Sequence, residues 1–177
     1  MVLQPSVDLS VVVPALDGVR PLDELTRQLS GALDALAIRY ELLPVSRPRY
    51  GEALLAGVAQ ARGEFVLTID ADACRPDVLS LLWNARRAAD VTIASRYVPG
   101  GAARMPAARR VLSGTLNTIL RAGLSIPIHD FSSGFRLYRA SVFRDQTYTA
   151  RGFEILREVI VKAYAEGWTV REVPFAY

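Results

Sequence analysis

Phe65-Val66-Leu67-Thr68-Ile69 is an unbroken run of aromatic, aliphatic and β-branched residues, and two carboxylates, Asp70 and Asp72, follow it. Such a run, without alternation, reads as a strand buried on both faces, the habit of parallel sheets covered by helices. Ligands of open α/β sheets bind beyond the carboxyl ends of the strands. Asp70 and Asp72 stand at that end, and in extended backbone residues two apart point the same way. Two carboxylates at the lip of a sheet can share a divalent cation, with substrate phosphates and water completing its shell. The same residues also suit a plain acidic turn, because Asp is at home in turns.

The flanking sequence repeats strand and helix in turn. Residues 9–13 predict a first strand ended by Pro14, with a turn at Asp17-Gly18. Leu22, Leu25, Leu29, Leu33 and Leu36 recur every three or four residues, one apolar helical stripe. Residues 40–45 predict a short strand, 46–51 a loop, and 52–61 a helix that Gly63 can close. Pro76 opens another helix, with Val78, Leu79, Leu82 and Trp83 inward. Residues 90–94 predict a strand that runs into Ser95-Arg96-Tyr97, and 107–122 a longer helix. A strand over 134–138, a helix over 153–165 and a strand over 168–175 complete the chain, the last placed at an edge by Pro174. This alternation implies one α/β domain over residues 1–177 with a mostly parallel sheet.

The rest of the composition narrows the chemistry. At 177 residues the chain is long enough for a sizeable core. Cys74 is the only cysteine, so intrachain disulfides and cysteine metal clusters are excluded; His129 is the only histidine, which excludes a histidine metal triad. The net charge is +3, and 20 of the 21 basic residues are arginine, the better bidentate partner of phosphate. Basic residues never run beyond a pair, and no aromatic-basic interleaving accompanies them, so nucleic acid is not an expected partner. No apolar stretch is long enough to span a bilayer and no leader is evident. The expectation is a cytoplasmic chain that meets a membrane only weakly and peripherally, at its inner face.

A series of short motifs appears in a telling order. Val11-Val12-Val13-Pro14-Ala15 is followed by Gly51-Glu52-Ala53-Leu54, Ala61-Arg62-Gly63-Glu64-Phe65 and Asp70-Ala71-Asp72. Ala94-Ser95-Arg96-Tyr97 with Gly100-Gly101 comes next, then Asp130-Phe131-Ser132-Ser133-Gly134-Phe135-Arg136, then Glu172-Val173-Pro174-Phe175. In this order they resemble the family 2 glycosyltransferases of the GT-A fold. Within that family the chain is most similar to the polyprenyl-phosphate sugar transferases, of which dolichol-phosphate mannosyltransferase is the best-known type. The resemblance implies a Rossmann-like three-layer α/β sandwich and an inverting, metal-dependent hexosyltransferase. The implied donor is a GDP- or UDP-sugar, the acceptor a polyprenyl phosphate, and the cofactor Mg²⁺ or Mn²⁺. Asp70 and Asp72 take the metal role. Pro14, Ala15, Leu16, Asp17 and Ala71 take the donor side. Arg96, Arg110, Ser113 and Arg136 take the acceptor phosphate. Asp130 joins Asp70, Asp72 and Arg96 as a catalytic candidate, closing the sugar side.

These residue types suit that chemistry. A phosphomonoester is already an anion near neutrality, since its second pKa is about 6. It can attack the sugar without a protein base, and what it needs is cation density, which arginine forks supply. Blander readings stay open beside this one. Arg96 could pair with a helix carboxylate, Arg104, Arg109 and Arg110 could be a solvated helix face, Asp130 could brace a loop, and Cys74 could be a buried small residue. Two other functions also stay open: transfer to a glycan or small molecule with Asp130 as base, or a degenerate domain that binds a nucleotide sugar without turnover. The chain departs from the family after its first helix. No Asp-Asp-Gly-Ser follows the second strand, as though one strand–helix unit were lost, and the usual basic segment after Pro174 is also missing. The expected consequences are poor discrimination between nucleotide bases and a sheet edge near Val45 open to self-association.

Overall fold

The computed structural model describes residues 7–16, 22–70, 75–102, 115, 117, 118, 123 and 126–176. Six strands form one sheet: β1 (Leu9–Leu16), β2 (Tyr40–Arg47), β3 (Phe65–Thr68), β4 (Val91–Ser95), β5 (Arg136–Arg139) and β6 (Val170–Pro174). Their order is β2-β1-β3-β5-β4-β6. β1 pairs in parallel with β2 and β3, and β4 with β6, whereas β5 runs against both its neighbours.

Helices cover both faces. On one, Val11 and Val13 of β1 and Leu67 of β3 meet Leu25, Leu29 and Leu33 of α1 (Leu22–Asp34) and Leu79 and Leu82 of α3 (Pro76–Ala85). On the other, Val91, Ile93 and Tyr138 meet Leu54 of α2 (Tyr50–Val58) and Ile155, Val159 and Ile160 of α4 (Ile155–Ala165). Alternate strand residues serve opposite faces, so a sheet covered twice demands the unbroken apolar runs seen in β1 and β3. Leu29, Leu33 and Leu82 have no exposed surface, and full burial of each contributes about 1.5–3 kcal/mol.

Three boundaries correct the sequence reading. β1 does not stop at Pro14 but continues to Leu16. The Val12 carbonyl accepts the Ile69 N–H, so residue 12, and with it residue 14, directs its backbone polar groups toward β3. β3 ends opposite Val12, and the proline therefore gives up no ladder bond. β2 runs through Ser46 and Arg47 because Ala15 and Leu16 give them partners. α2 starts at Tyr50, inside the expected loop, and ends at Val58, so Gly63 does not close it. Gly63 serves a close approach instead: a Cβ there would stand 2.6 Å from the Ser10 nitrogen and 2.8 Å from the Phe65 carbonyl oxygen.

β2 and β6 are the sheet edges, which agrees with the expectation from Pro174. The helix expected over 107–122 falls mostly outside the described residues; Thr115, Asn117, Thr118 and Gly123 are helical.

Candidate functional site

The antiparallel course of β5 builds the site. Its first residue, Arg136, is level with Thr68 of β3 and Ile93 of β4. Residues 126–135 therefore arrive between the carboxyl ends of those two strands. Gly134 comes to rest against Asp70: a Cβ at 134 would lie 2.3 Å from Asp70 Oδ1 and 2.5 Å from Oδ2. The Thr68 hydroxyl donates to the Gly134 carbonyl at 2.7 Å and ties the segment to β3. From α2, the Tyr50 phenol donates to Asp70 Oδ1 at 2.8 Å. Tyr50 is buried and stacks on Phe153, with ring centroids 4.3 Å apart. Burial, and next the Asp70 charge, push the phenol well above its usual pKa, so it stays a donor.

The end of β4 carries the second half. Arg96 donates from Nε and Nη2 to the two oxygens of Asp130, both at 2.8 Å, and from Nη2 to Ser132 Oγ at 2.7 Å. Asp130 has no exposed surface. It also accepts the backbone N–H groups of Arg96, Ser132 and Ser133. Burial pushes its carboxyl up, but the Arg96 guanidinium and these N–H groups outweigh that and hold it below the usual carboxylate range. Burial likewise pulls Arg96 down, and Asp130, then Tyr97 and Asp70, raise it above its ordinary value. Arg96 and Asp70 thus share one field at the lip of the sheet. Among the described residues nothing bonds Arg96 Nη1, the remaining arm of the fork. Glu172 of β6 braces the same loop, accepting the N–H groups of His129 and Asp130, each at 2.9 Å, while His129 Nδ1 lies 2.8 Å from it.

The sequence-predicted residues separate into three groups. Asp70, Arg96 and Asp130 come together, with Pro14, Ala15 and Leu16 ending β1 two strands from β5. Asp17, Ala71, Asp72, Arg110 and Ser113, with Arg104, Arg109 and Cys74, lie outside the described residues. Arg136 corrects the expectation of an acceptor-phosphate ligand. It has no exposed surface, and its guanidinium donates to the carbonyls of Leu156 at 2.5 Å and Phe131 at 2.8 Å. Strand register turns it into the core, where it clamps α4 to the loop. Asp130 is likewise a poor base, because a buried carboxylate already accepting this many donors has little affinity for a proton. Tyr50 was not foreseen, and Glu172 entered only as part of a motif with no role of its own; no spacing signal links Tyr50 to Asp70, 20 residues away.

A carboxylate is a hard oxygen donor that suits Mg²⁺ or Mn²⁺. Asp70 fits such a role: it is half-buried at the strand end, and the space a Cβ would fill at 134 is given over to its carboxylate. Among the described residues no three metal-ligating side chains converge.

Known proteins resemble the chain in sequence and in fold. Residues 22–147 match the family model described as Glycosyl transferase family 2. The polyprenol monophosphomannose synthase of Mycolicibacterium smegmatis is 40% identical over 141 residues, 75% of this chain and 53% of that protein. The dolichol-phosphate mannosyltransferase of Pyrococcus furiosus is 27% identical over 202 aligned positions, 96% of this chain and 56% of that protein. The chain spans about half the length of the curated relatives it matches. Since 96% of 177 residues is about 170, some 30 of those 202 aligned positions have no counterpart in this chain. Among solved structures, glucosyl-3-phosphoglycerate synthase from Mycobacterium tuberculosis in complex with Mn²⁺, uridine diphosphate and phosphoglyceric acid superposes with a TM-score of 0.70. It is 17% identical, and the match covers 97% of this chain and 69% of that one.

Proposed function

The chain belongs to glycosyl transferase family 2 and has the GT-A fold, and from that premise we propose that it moves mannose from a nucleoside diphosphate sugar onto a polyprenyl phosphate. The observation that carries the reading is the state of Asp130. A neutral hydroxyl acceptor needs a base, and the candidate for one, Asp130, is committed to Arg96, Ser132 and Ser133. A lipid phosphate needs none, being an anion at neutral pH. The two relatives, named for a polyprenol or dolichol phosphate and for mannose, support the same acceptor and sugar.

In this reading Asp70 and Asp72 hold Mg²⁺ or Mn²⁺, which would supply Lewis-acid neutralisation of the departing diphosphate. Pro14, Ala15 and Leu16 line the donor from the end of β1. Arg96, braced by Asp130, offers its remaining N–H groups to phosphate, and Arg110 with Ser113 receives the acceptor phosphate. Among the described residues no helix is long and apolar enough to cross a membrane. In this reading contact with the lipid surface is peripheral, at about 1 kcal/mol for each arginine near anionic headgroups.

The test supplies the protein with labelled GDP-mannose or UDP-glucose, Mn²⁺, and either a polyprenyl phosphate or a neutral oligosaccharide. Label from GDP-mannose, and not from UDP-glucose, entering the lipid phosphate alone is the expected outcome. Label entering the oligosaccharide, or neither acceptor, overturns the reading.

A further inference from the structure

We propose that Tyr50 is a positioning residue for Asp70, holding the carboxylate in the orientation that receives the metal and diphosphate of the donor. The ligand's identity rests on the proposed function; the positioning rests on the geometry alone. An aspartate carboxylate turns easily about its terminal bond, where the torsional wells are broad. Here it is confined from two sides. Gly134 packs so closely that a single added carbon would overlap both oxygens, and the Tyr50 hydroxyl takes one lone pair of Oδ1.

Tyr50 is itself held. Its ring lies flat on Phe153, with 19° between the planes. The next residue, Gly51, donates its N–H to the Arg151 carbonyl at 2.8 Å. The start of α2 is thereby fixed to the segment leading into α4. Rotation of the phenol would break the stack, so the hydroxyl stays aimed at Asp70. Groups that orient a metal ligand in this way typically matter by 10–100-fold in metal affinity, because a preset ligand loses less freedom on binding.

The experiment follows free Mn²⁺ by electron paramagnetic resonance as protein is added in the presence of GDP, together with thermal unfolding of each variant. Tyr50→Phe removes one oxygen and keeps the ring stack. It should unfold close to wild type and bind Mn²⁺–GDP about 10–100-fold more weakly. Wild-type affinity in Tyr50→Phe overturns the positioning role and leaves the donor reading standing. Absence of Mn²⁺–GDP binding in the unaltered protein overturns both. Should Tyr50→Phe fail to fold, Phe153→Leu frees the ring while keeping the hydroxyl: weaker Mn²⁺–GDP binding then supports the proposal, and unchanged binding overturns it.

Discussion

Replacing Gly134 by alanine drives a methyl group into the Asp70 carboxylate. The added carbon would lie 2.3 Å from Oδ1, whereas ordinary contact begins at 3.4 Å, so one partner must retreat by about 1 Å. Neither has room. Asp70 is held by the Tyr50 hydroxyl at 2.8 Å, and residue 134 by the Thr68 hydroxyl at 2.7 Å. Overpacking of this kind costs about 1–3 kcal/mol. For a chain of this size that lowers Tm by about 2–4 °C per kcal/mol. The functional loss is larger in proportion, because a ~1 Å displacement at a reacting site can lower the rate about 100-fold, or about 2.7 kcal/mol of barrier. The assay measures kcat/KM for transfer to polyprenyl phosphate beside thermal unfolding. A folded Gly134→Ala protein with wild-type kcat/KM would show that the Asp70 position has no bearing on the chemistry.

Asp130→Asn leaves the largely buried Arg96 facing an amide that cannot accept both arms of its fork; urea unfolding should register a loss of about 3–5 kcal/mol, and a loss below about 1 kcal/mol would mean the pair is not a structural anchor. Arg96→Lys keeps the charge and loses the planar fork, so transfer should fall and amide exchange across residues 126–135 should quicken; unchanged exchange would place the anchor elsewhere. At Glu158, burial raises the pKa, but Lys162 and the Ala150 and Thr149 N–H groups outweigh it and bring it down from 4.5 to about 2. A depressed folded pKa contributes stability above the unfolded value that is lost as pH falls, here between about 4.5 and about 2. Glu158→Gln should flatten that acid limb of the urea midpoint, and parallel curves for the two proteins would refute the assignment.

Local patterns made much of the fold legible. The stripe from Leu25 to Leu33 and the inward set of α3 follow from helical period alone, and both are buried as expected. The direction of β5 was not legible, because an apolar run carries no polarity, yet that reversal is what brings Gly134 to Asp70. Pro14 misled because the cost of a proline depends on whether a partner strand is still alongside, which is a fact of register. Arg136 misled for a related reason: the family resemblance offered it as a phosphate ligand, and its strand position turns it inward. Motif order picked out Arg96 and Asp130, but not that they bond each other across 34 residues. Contacts of that range, like Tyr50 with Asp70, are set by the folded sheet and leave no spacing in the sequence.

The central claim is that the carboxyl end of β3 binds the donor diphosphate with a divalent metal through Asp70. Calorimetric titration of GDP and UDP, with Mn²⁺ and then with EDTA, against the unaltered protein and Asp70→Asn tests it most directly. Both nucleotides should bind only with Mn²⁺, with binding abolished by EDTA and lost in Asp70→Asn. Nucleotide binding of equal strength in EDTA, or in Asp70→Asn with Mn²⁺ present, would contradict it.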